Sequence, residues 1–405
     1  MSASPTPASA QEPVSLLAGL RPQPADALLA LIGLHRADPR ADKIDVGVGV
    51  YRDARGETPI MGAVKSAEAL LLAAETTKGY LGPEGDMRFT ELLEPIVFGD
   101  GFANADRLTG VQTPGGTGAL RLGAELIARG APNARVWIGS PSWPNHRPIF
   151  EDAGVTVERH RYYDSQISNI DFDGMMHALN AAARGDVVLL HACCHNPTGA
   201  GFSIDQWRAL ADLLGNRGLM PFIDLAYQGL GDGLDEDAVG MRHLLASVPE
   251  ALLAYSCDKN FGLYRERVGA LWVLGAATGV LAPVRDNMHA LARSLWSMPP
   301  AHGAAIVRAI LDDTALTHDW RVELDEMRLR INRLRSLLGR AHPRLKNVAT
   351  QRGMFTMLPI DRMGVSALRE QHGIYMADSG RINVAGLQSE TIDRFTTALV
   401  PHLHA

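Results

Sequence analysis

Residues 256–269, SCDKNFGLYRERVG, put a single lysine, Lys259, just behind an apolar run from Ala251 to Tyr255, with Arg265 and Arg267 close after it. A lysine amine at the end of a buried segment suits a nucleophile or a proton carrier, and clustered guanidinium forks answer a carboxylate or a phosphate. A second stretch, TPGGTGALRLGAELIARG (113–130), is a glycine-rich turn opening a helix whose apolar face is Leu120, Gly123, Ala124 and Ile127. Backbone N–H groups and the positive dipole end of such a helix bind phosphate. No Gly-Lys-Ser/Thr follows, and the G-x-G-x-x-G fingerprint is missing, so neither a nucleotide P-loop nor a dinucleotide site is indicated. Alone, the stretch reads equally well as a plain glycine turn.

HACCHNPTGAG (191–201) and FIDLAYQGLGDG (222–233) each follow an apolar run. Parallel sheets bind ligands beyond their strand C-termini, which would bring Asn196, Asp224 and Tyr227 together. An Asp at such a strand end can also simply cap a helix. His195 reads better as a satisfied buried histidine than as a catalytic one. The acidic run GDGLDEDA imitates a calcium loop with the wrong spacing, and a solvated loop accounts for it better. No metal site is expected. Together, a phosphate cradle, a lysine at a strand end, a carboxylate and a phenol match the needs of pyridoxal phosphate. Its aldehyde requires an amine, its ring nitrogen a carboxylate, and its phosphate N–H groups and arginine.

The elements that must hold these groups can be read from periodicity. RVWIGS (135–140), DVVLLHACC (186–194), MPFIDLAYQG (220–229) and ALLAYSC (251–257) are strand-like, and several are apolar on both faces, as strands covered on both sides are. Between two of them SIDQWRALADLLGNRG predicts a helix with a Ser203–Gln206 capping box and a stop at Gly215. Strand, helix and strand at this spacing give a right-handed βαβ unit and a largely parallel α/β sheet. Further on, Trp320, Leu324, Met327, Ile331, Leu334 and Leu338 alternate in steps of four and three, which predicts a long amphipathic helix. GMFTML and GRINVAG then suit a small α+β lobe.

With 405 residues, 39 basic against 45 acidic and a net charge of -6, the chain is large enough for two lobes and carries no basic footprint for nucleic acid. Its three cysteines, Cys193, Cys194 and Cys257, make neither a disulfide framework nor a Cys-x-x-Cys zinc pair. Cys193 and Cys194, if on a strand, would point to opposite faces as small buried hydrophobes. Such usage fits a reducing cytoplasm. MSASPTPASAQEPVSLL has no basic residue and no long apolar run, so neither a secretory signal nor a transit peptide is expected, and its composition predicts a disordered tail. No run approaches a membrane span.

VGVGVYRD, TTKGYLG, TPGGTGALR, PSWPNH, HNPTG, DLAYQG, KNFGLYRERVG, PPAHGA, GMF and GRINVAG stand in this order from roughly Arg21 to the C-terminus. In this the chain resembles the fold type I, class I aminotransferases of the aspartate/aromatic amino-acid subgroup. The resemblance implies a large domain with a mainly parallel seven-stranded sheet between helices, and a small α+β domain built from both chain ends. The expected division is a tail over 1–13, an N-terminal arm with part of the small domain over 14–58, a large cofactor-binding domain over 59–320, and the rest of the small domain over 321–405.

Residue by residue, Lys259 resembles the lysine that bonds the cofactor aldehyde and then carries the substrate Cα proton. Asp224 matches the carboxylate that keeps the pyridine nitrogen protonated, with His146 behind it. Tyr227 and Asn196 match the pair on the cofactor's phenolic oxygen, and Trp143 the aromatic lid that also touches the substrate carboxylate. Gly116, Thr117, Ser256 and Arg267 match the phosphate cup, joined by Tyr80 of a neighbouring subunit. Arg381, with the backbone of Gly49, matches the grip on the substrate α-carboxylate, and Arg293 the neighbour's arginine for a side-chain carboxylate. Arg265 reads as a surface neighbour.

The resemblance thus implies a homodimer with shared sites that exchanges amino groups of aspartate or aromatic amino acids with 2-oxoglutarate. A lyase on the same scaffold, such as an aspartate decarboxylase, is expected to carry extra segments, and none is visible. A non-enzymatic descendant is expected to have lost Lys259, Asp224 or Arg381, and all three are present. Two departures stand out. Asp258 replaces the family's small residue before the lysine, where its charge would raise the Lys259 amine unless alternation turns the carboxylate away. Around Arg293, SLWSM replaces the more polar ANYSN, which points to tolerance of aromatic side chains.

Overall fold

The computed structural model describes residues 17–22 and 27–404. The tail expected over 1–13 lies outside the described residues.

Seven strands form the main sheet: β1 Leu108–Pro114, β2 Arg135–Ser140, β3 Thr156–Arg161, β4 Val187–His191, β5 Met220–Leu225, β6 Ala251–Ser256 and β7 Val268–Leu274. Their order across the sheet is β1-β7-β6-β5-β4-β2-β3. Only β7 runs antiparallel to its neighbours. Every residue of β6 and β7 is buried. Alternate side chains feed opposite faces: Leu252 and Ala254 join one apolar cluster, Leu253 and Tyr255 the other. That two-sided burial is why these strands are apolar throughout. β3, at the edge, is the exposed one. β7, buried throughout like β6, was not read as a strand from the sequence.

Helix α1, Gly115–Gly130, starts directly at the end of β1 and packs across β6 and β7. Helix α2, Ile204–Arg217, opens on the expected capping box: the Gln206 N–H donates to Ser203 Oγ at 3.2 Å, and the Ser203 N–H to Gln206 Oε1 at 2.9 Å. It ends later than expected, at Gly218 rather than Gly215, because Gly218 is the residue in the left-handed conformation (φ 64°) that closes a helix. Helix α3, Leu281–Leu295, covers β1.

The long amphipathic helix, α4, runs over Thr314–Ala341, with the Asp313 carboxylate accepting from the N–H groups of Ala315 and Leu316 at 2.8 and 3.0 Å. Its buried stripe spans two cores. Trp320, Leu324, Met327 and Ile331 join the core of the main sheet, and Leu334 and Leu338 a second one. This second core unites Ile44 and Val46 with residues between Leu334 and Leu403. It carries the antiparallel pair β8, Phe355–Met357, and β9, Arg381–Asn383, with Met357 opposite Arg381.

Two local expectations are corrected. β4 ends at His191, so Cys193 and Cys194 sit in the loop beyond it, with Cys194 at φ 49°. Their sulfurs lie together near Asp237 instead of on opposite faces. The acidic run is not wholly solvated either. Asp237 is buried, and its carboxylate accepts from the N–H groups of Gly229, Gly231 and Asp232 at 2.8–2.9 Å. Among the described residues no helix is long and apolar enough to cross a membrane.

Candidate active site

A cavity of about 360 Å³ lies at the C-terminal ends of β4, β5 and β6 and the start of α1. Its walls include Gly116, Thr117, Trp143, Asn196, Asp224, Tyr227, Ser256, Lys259 and Arg267, and on the opposite side Gly49, Phe355 and Arg381.

Lys259 is carried there by the end of β6. Its Nζ stands 5.1 Å from the centroid of the Tyr227 ring. Burial pushes the amine below the ordinary lysine range, although Asp258 and Asp224 pull the other way. The segment is fixed from behind. Trp320 of α4 donates its indole N–H to the Asn260 carbonyl at 2.8 Å and stacks on Phe261 at 4.3 Å, while Asn260 Nδ2 donates to the Tyr255 hydroxyl at 2.8 Å. These three contacts were not legible in the sequence.

Asp224 stands one residue before the end of β5 with its carboxylate buried. Burial alone would raise it, but the His146 hydrogen bond and the nearby His146, His191 and Lys259 outweigh that and hold it below the usual carboxylate range. His146 Nε2 lies 3.0 Å from Asp224 Oδ2, and Ser142 Oγ lies 2.8 Å from Nδ1 on the other side of the ring. Trp143 meets His146 edge to face at 5.2 Å. Asn196 Nδ2 donates to the Tyr227 hydroxyl at 3.4 Å, and burial raises that phenol's pKa. His195 is buried as expected: it stacks on Tyr162 at 4.0 Å, its Nδ1 is 2.9 Å from Thr198 Oγ1, and burial drives it to the neutral form.

At the other end, Gly115 adopts φ 68°, and a Cβ there would lie 2.6 Å from Arg267 Nη2. A Cβ on Gly116 would press on Ser256 at 3.1 Å. The glycines therefore let the start of α1 close on β6 and on the guanidinium. The Asp258 carboxylate turns toward Arg267 and pairs with its Nη1. Arg265 is exposed.

Arg381 reaches in from β9 with its guanidinium 4.8 Å over the Phe355 ring. Nη2 donates to the Gly47 carbonyl at 3.0 Å. Neighbouring Asn383 donates to the carbonyls of Val48 and Val50, both at 2.7 Å, and so fixes the segment carrying Gly49. A Cβ on Gly49 would meet Phe355 at 3.0 Å, hence glycine there. Among the described residues, three buried polar atoms around the cavity have no protein partner: Asn196 Oδ1, His191 Nε2 and Arg381 Nε.

Two residues expected from a neighbouring subunit do not line this chain's own cavity. Tyr80 is 94% exposed, and Arg293, at the end of α3, is exposed with Nη1 donating to its own chain's Ser297 at 2.5 Å. Leu295 and Trp296 pack against the apolar cluster on the α1 face of the sheet, so their apolar character serves packing within the chain. Tyr264, His191 and Phe355 line the cavity and were not singled out by the sequence.

Residues 41–399 match the family "Aminotransferase class I and II", and the chain belongs to it. It is 52% identical over 383 residues to the tyrosine aminotransferase of Rhizobium meliloti (strain 1021), covering 93% of this chain and 98% of that protein. It is 44% identical to the aspartate aminotransferase of Escherichia coli (strain K12), covering 93% and 97%. Among solved structures, the aromatic-amino-acid aminotransferase of Burkholderia pseudomallei, described as covalently bound to pyridoxal phosphate, superposes with a TM-score of 0.93 at 37% identity, covering 96% of this chain and all of that one. The fold is that of the fold type I aminotransferases, and the protein is a transaminase.

Proposed function

We propose that this chain moves the amino group of aspartate and of aromatic amino acids to 2-oxoglutarate in two half-reactions, using pyridoxal 5'-phosphate held in the cavity. The observation that carries this is the convergence of Lys259, Asp224 and Arg381, drawn from three distant parts of the sequence, on one cavity. The unpartnered Arg381 Nε and the glycine-lined start of α1 fit a ligand with a carboxylate and a phosphate to satisfy.

Gly116, Thr117, Ser256 and Arg267 hold the phosphate; Asn196 and Tyr227 hold the phenolic oxygen; Trp143 covers the ring. Asp224, oriented by His146, keeps a proton on the ring nitrogen. When bound, the cofactor supplies an electron sink that makes the substrate Cα–H acidic. Lys259, whose amine burial shifts below the ordinary lysine range, takes that proton and returns it. Arg381 and the backbone of Gly49 hold the substrate α-carboxylate as a planar fork.

Tyr80 and Arg293, exposed in a single chain, complete the site of a second copy in a homodimer, Tyr80 at the phosphate and Arg293 at the distal carboxylate of aspartate and 2-oxoglutarate. Support for both donor classes comes from the relatives, one named for tyrosine and one for aspartate.

Half-reactions with aspartate and with phenylalanine, followed spectroscopically, test this. Truncating one partner of a buried charge pair costs about 2–5 kcal/mol. Arg293→Ala therefore lowers kcat/KM for aspartate by a factor of roughly 30 to several thousand, at ~1.36 kcal/mol per decade. Phenylalanine, with no distal charge to strand, loses far less. Equal losses for both would overturn the role of Arg293, and negligible wild-type turnover of phenylalanine and tyrosine would restrict the donor to aspartate.

A further inference from the structure

The end of the cavity at the start of α1 already contains an anion of the chain's own. Asp258 is buried, with 5% of its side chain exposed, and its carboxylate pairs with Arg267 Nη1. Its Oδ1 also accepts from the Val268 N–H at 3.3 Å. Its Oδ2 would lie 3.3 Å from a Cβ on Gly115, so the carboxylate faces the first residue of α1. Arg267 Nη1 is further committed to the Tyr264 carbonyl at 3.2 Å. Arg267 itself sits at φ 53°, outside the backbone conformations ordinary for an arginine. Its backbone and half its fork are thus set by contacts inside the protein. Nη2 is left toward Gly115.

We propose that Asp258 is a resident anion of the phosphate cup: it holds Arg267 against the start of α1, and an arriving phosphate must compete with it for that arginine. This rests on the reading of Gly116, Thr117, Ser256 and Arg267 as the phosphate site. Two buried anions then share one guanidinium and one helix start. Their repulsion limits how tightly the phosphate group can be held. Asp258 thereby acts as a positioning residue that makes the chain release its cofactor more readily than a neutral residue in its place would.

The test uses the full chain stripped of cofactor, titrated calorimetrically with inorganic phosphate and with pyridoxamine phosphate, which binds without a covalent bond to Lys259. Asp258→Ser and the near-isosteric Asp258→Asn are both expected to tighten both ligands by about tenfold or more relative to wild type, since each removes the charge. Unchanged or weaker binding in Asp258→Asn overturns the proposal, and so does a gain confined to Asp258→Ser, which would reflect space instead of charge. Wild-type chain that binds neither ligand would remove the cofactor site itself and the proposal with it. Tight wild-type binding that Arg267→Ala abolishes, together with no gain from either Asp258 variant, would leave the site standing and sink this inference alone.

Discussion

At the scale of single residues, the site separates two tasks by environment. Lys259 is buried where its amine loses charge easily, whereas Asp224 is buried but keeps its charge because His146 stands 3.0 Å away. The same desolvation acts on both, and the hydrogen bond decides the outcome for the carboxylate. Asp224→Ala is therefore expected to slow the half-reaction with either donor by roughly 10²–10⁴-fold, the range for a positioned acid–base group, while cofactor retention changes little. Rapid-mixing absorbance measurements check this, and a near-normal rate would mean that another carboxylate serves the ring nitrogen.

At the scale of elements, α4 ties the two cores together and fixes both sides of the cavity. Trp320 holds the Lys259 segment, and one turn of the same helix carries Arg335, fully buried and with no carboxylate partner among the described residues. Arg335 donates to the carbonyls of Gly353, Val348, Arg352 and Phe355 at 2.5–3.2 Å. It thereby holds the chain leading into β8, whose Phe355 walls the cavity and underlies Arg381. Arg335→Leu strands four carbonyls and is expected to cost at least about 4 kcal/mol in equilibrium urea unfolding, at ~1–3 kcal/mol for each buried group left unpaired. A loss below ~1 kcal/mol would show that these bonds are replaced by water.

The stripe of α4 was legible because it is a local pattern of apolar spacing, and so was the Ser203 cap. The Trp320–Asn260 contact joins residues sixty positions apart, and no local pattern records such a partner. The late stop of α2 was missed for a related reason: two glycines, Gly215 and Gly218, compete, and only the backbone angle tells which one closes the helix. Motif residues such as Asp224 and Lys259 were legible because unusual polar groups at strand ends stand out from apolar runs. The supports Asn383 and Arg335 were not, because an isolated Asn or Arg in a sequence is ordinary surface composition.

At the scale of the whole molecule, the chain is poor in lysine: it has five, Lys43, Lys65, Lys78, Lys259 and Lys346. Only Lys259 lines the cavity. Lys65, Lys78 and Lys346 are exposed, and Lys43 donates to the carbonyls of His35 and Asp38 at 2.8 and 2.6 Å. The fold thus offers an aldehyde cofactor one enclosed amine among several solvated ones. Burial lowers the pKa of that amine, and a neutral amine is the form that attacks an aldehyde. Reduction of the cofactor-loaded protein with borohydride, followed by digestion and peptide mass spectrometry, tests this central claim directly. Loss of the visible absorbance and a cofactor mass fixed on the peptide containing Lys259 alone are expected. Stoichiometric label on any of the other four lysines, with the Lys259 peptide unmodified, would contradict it.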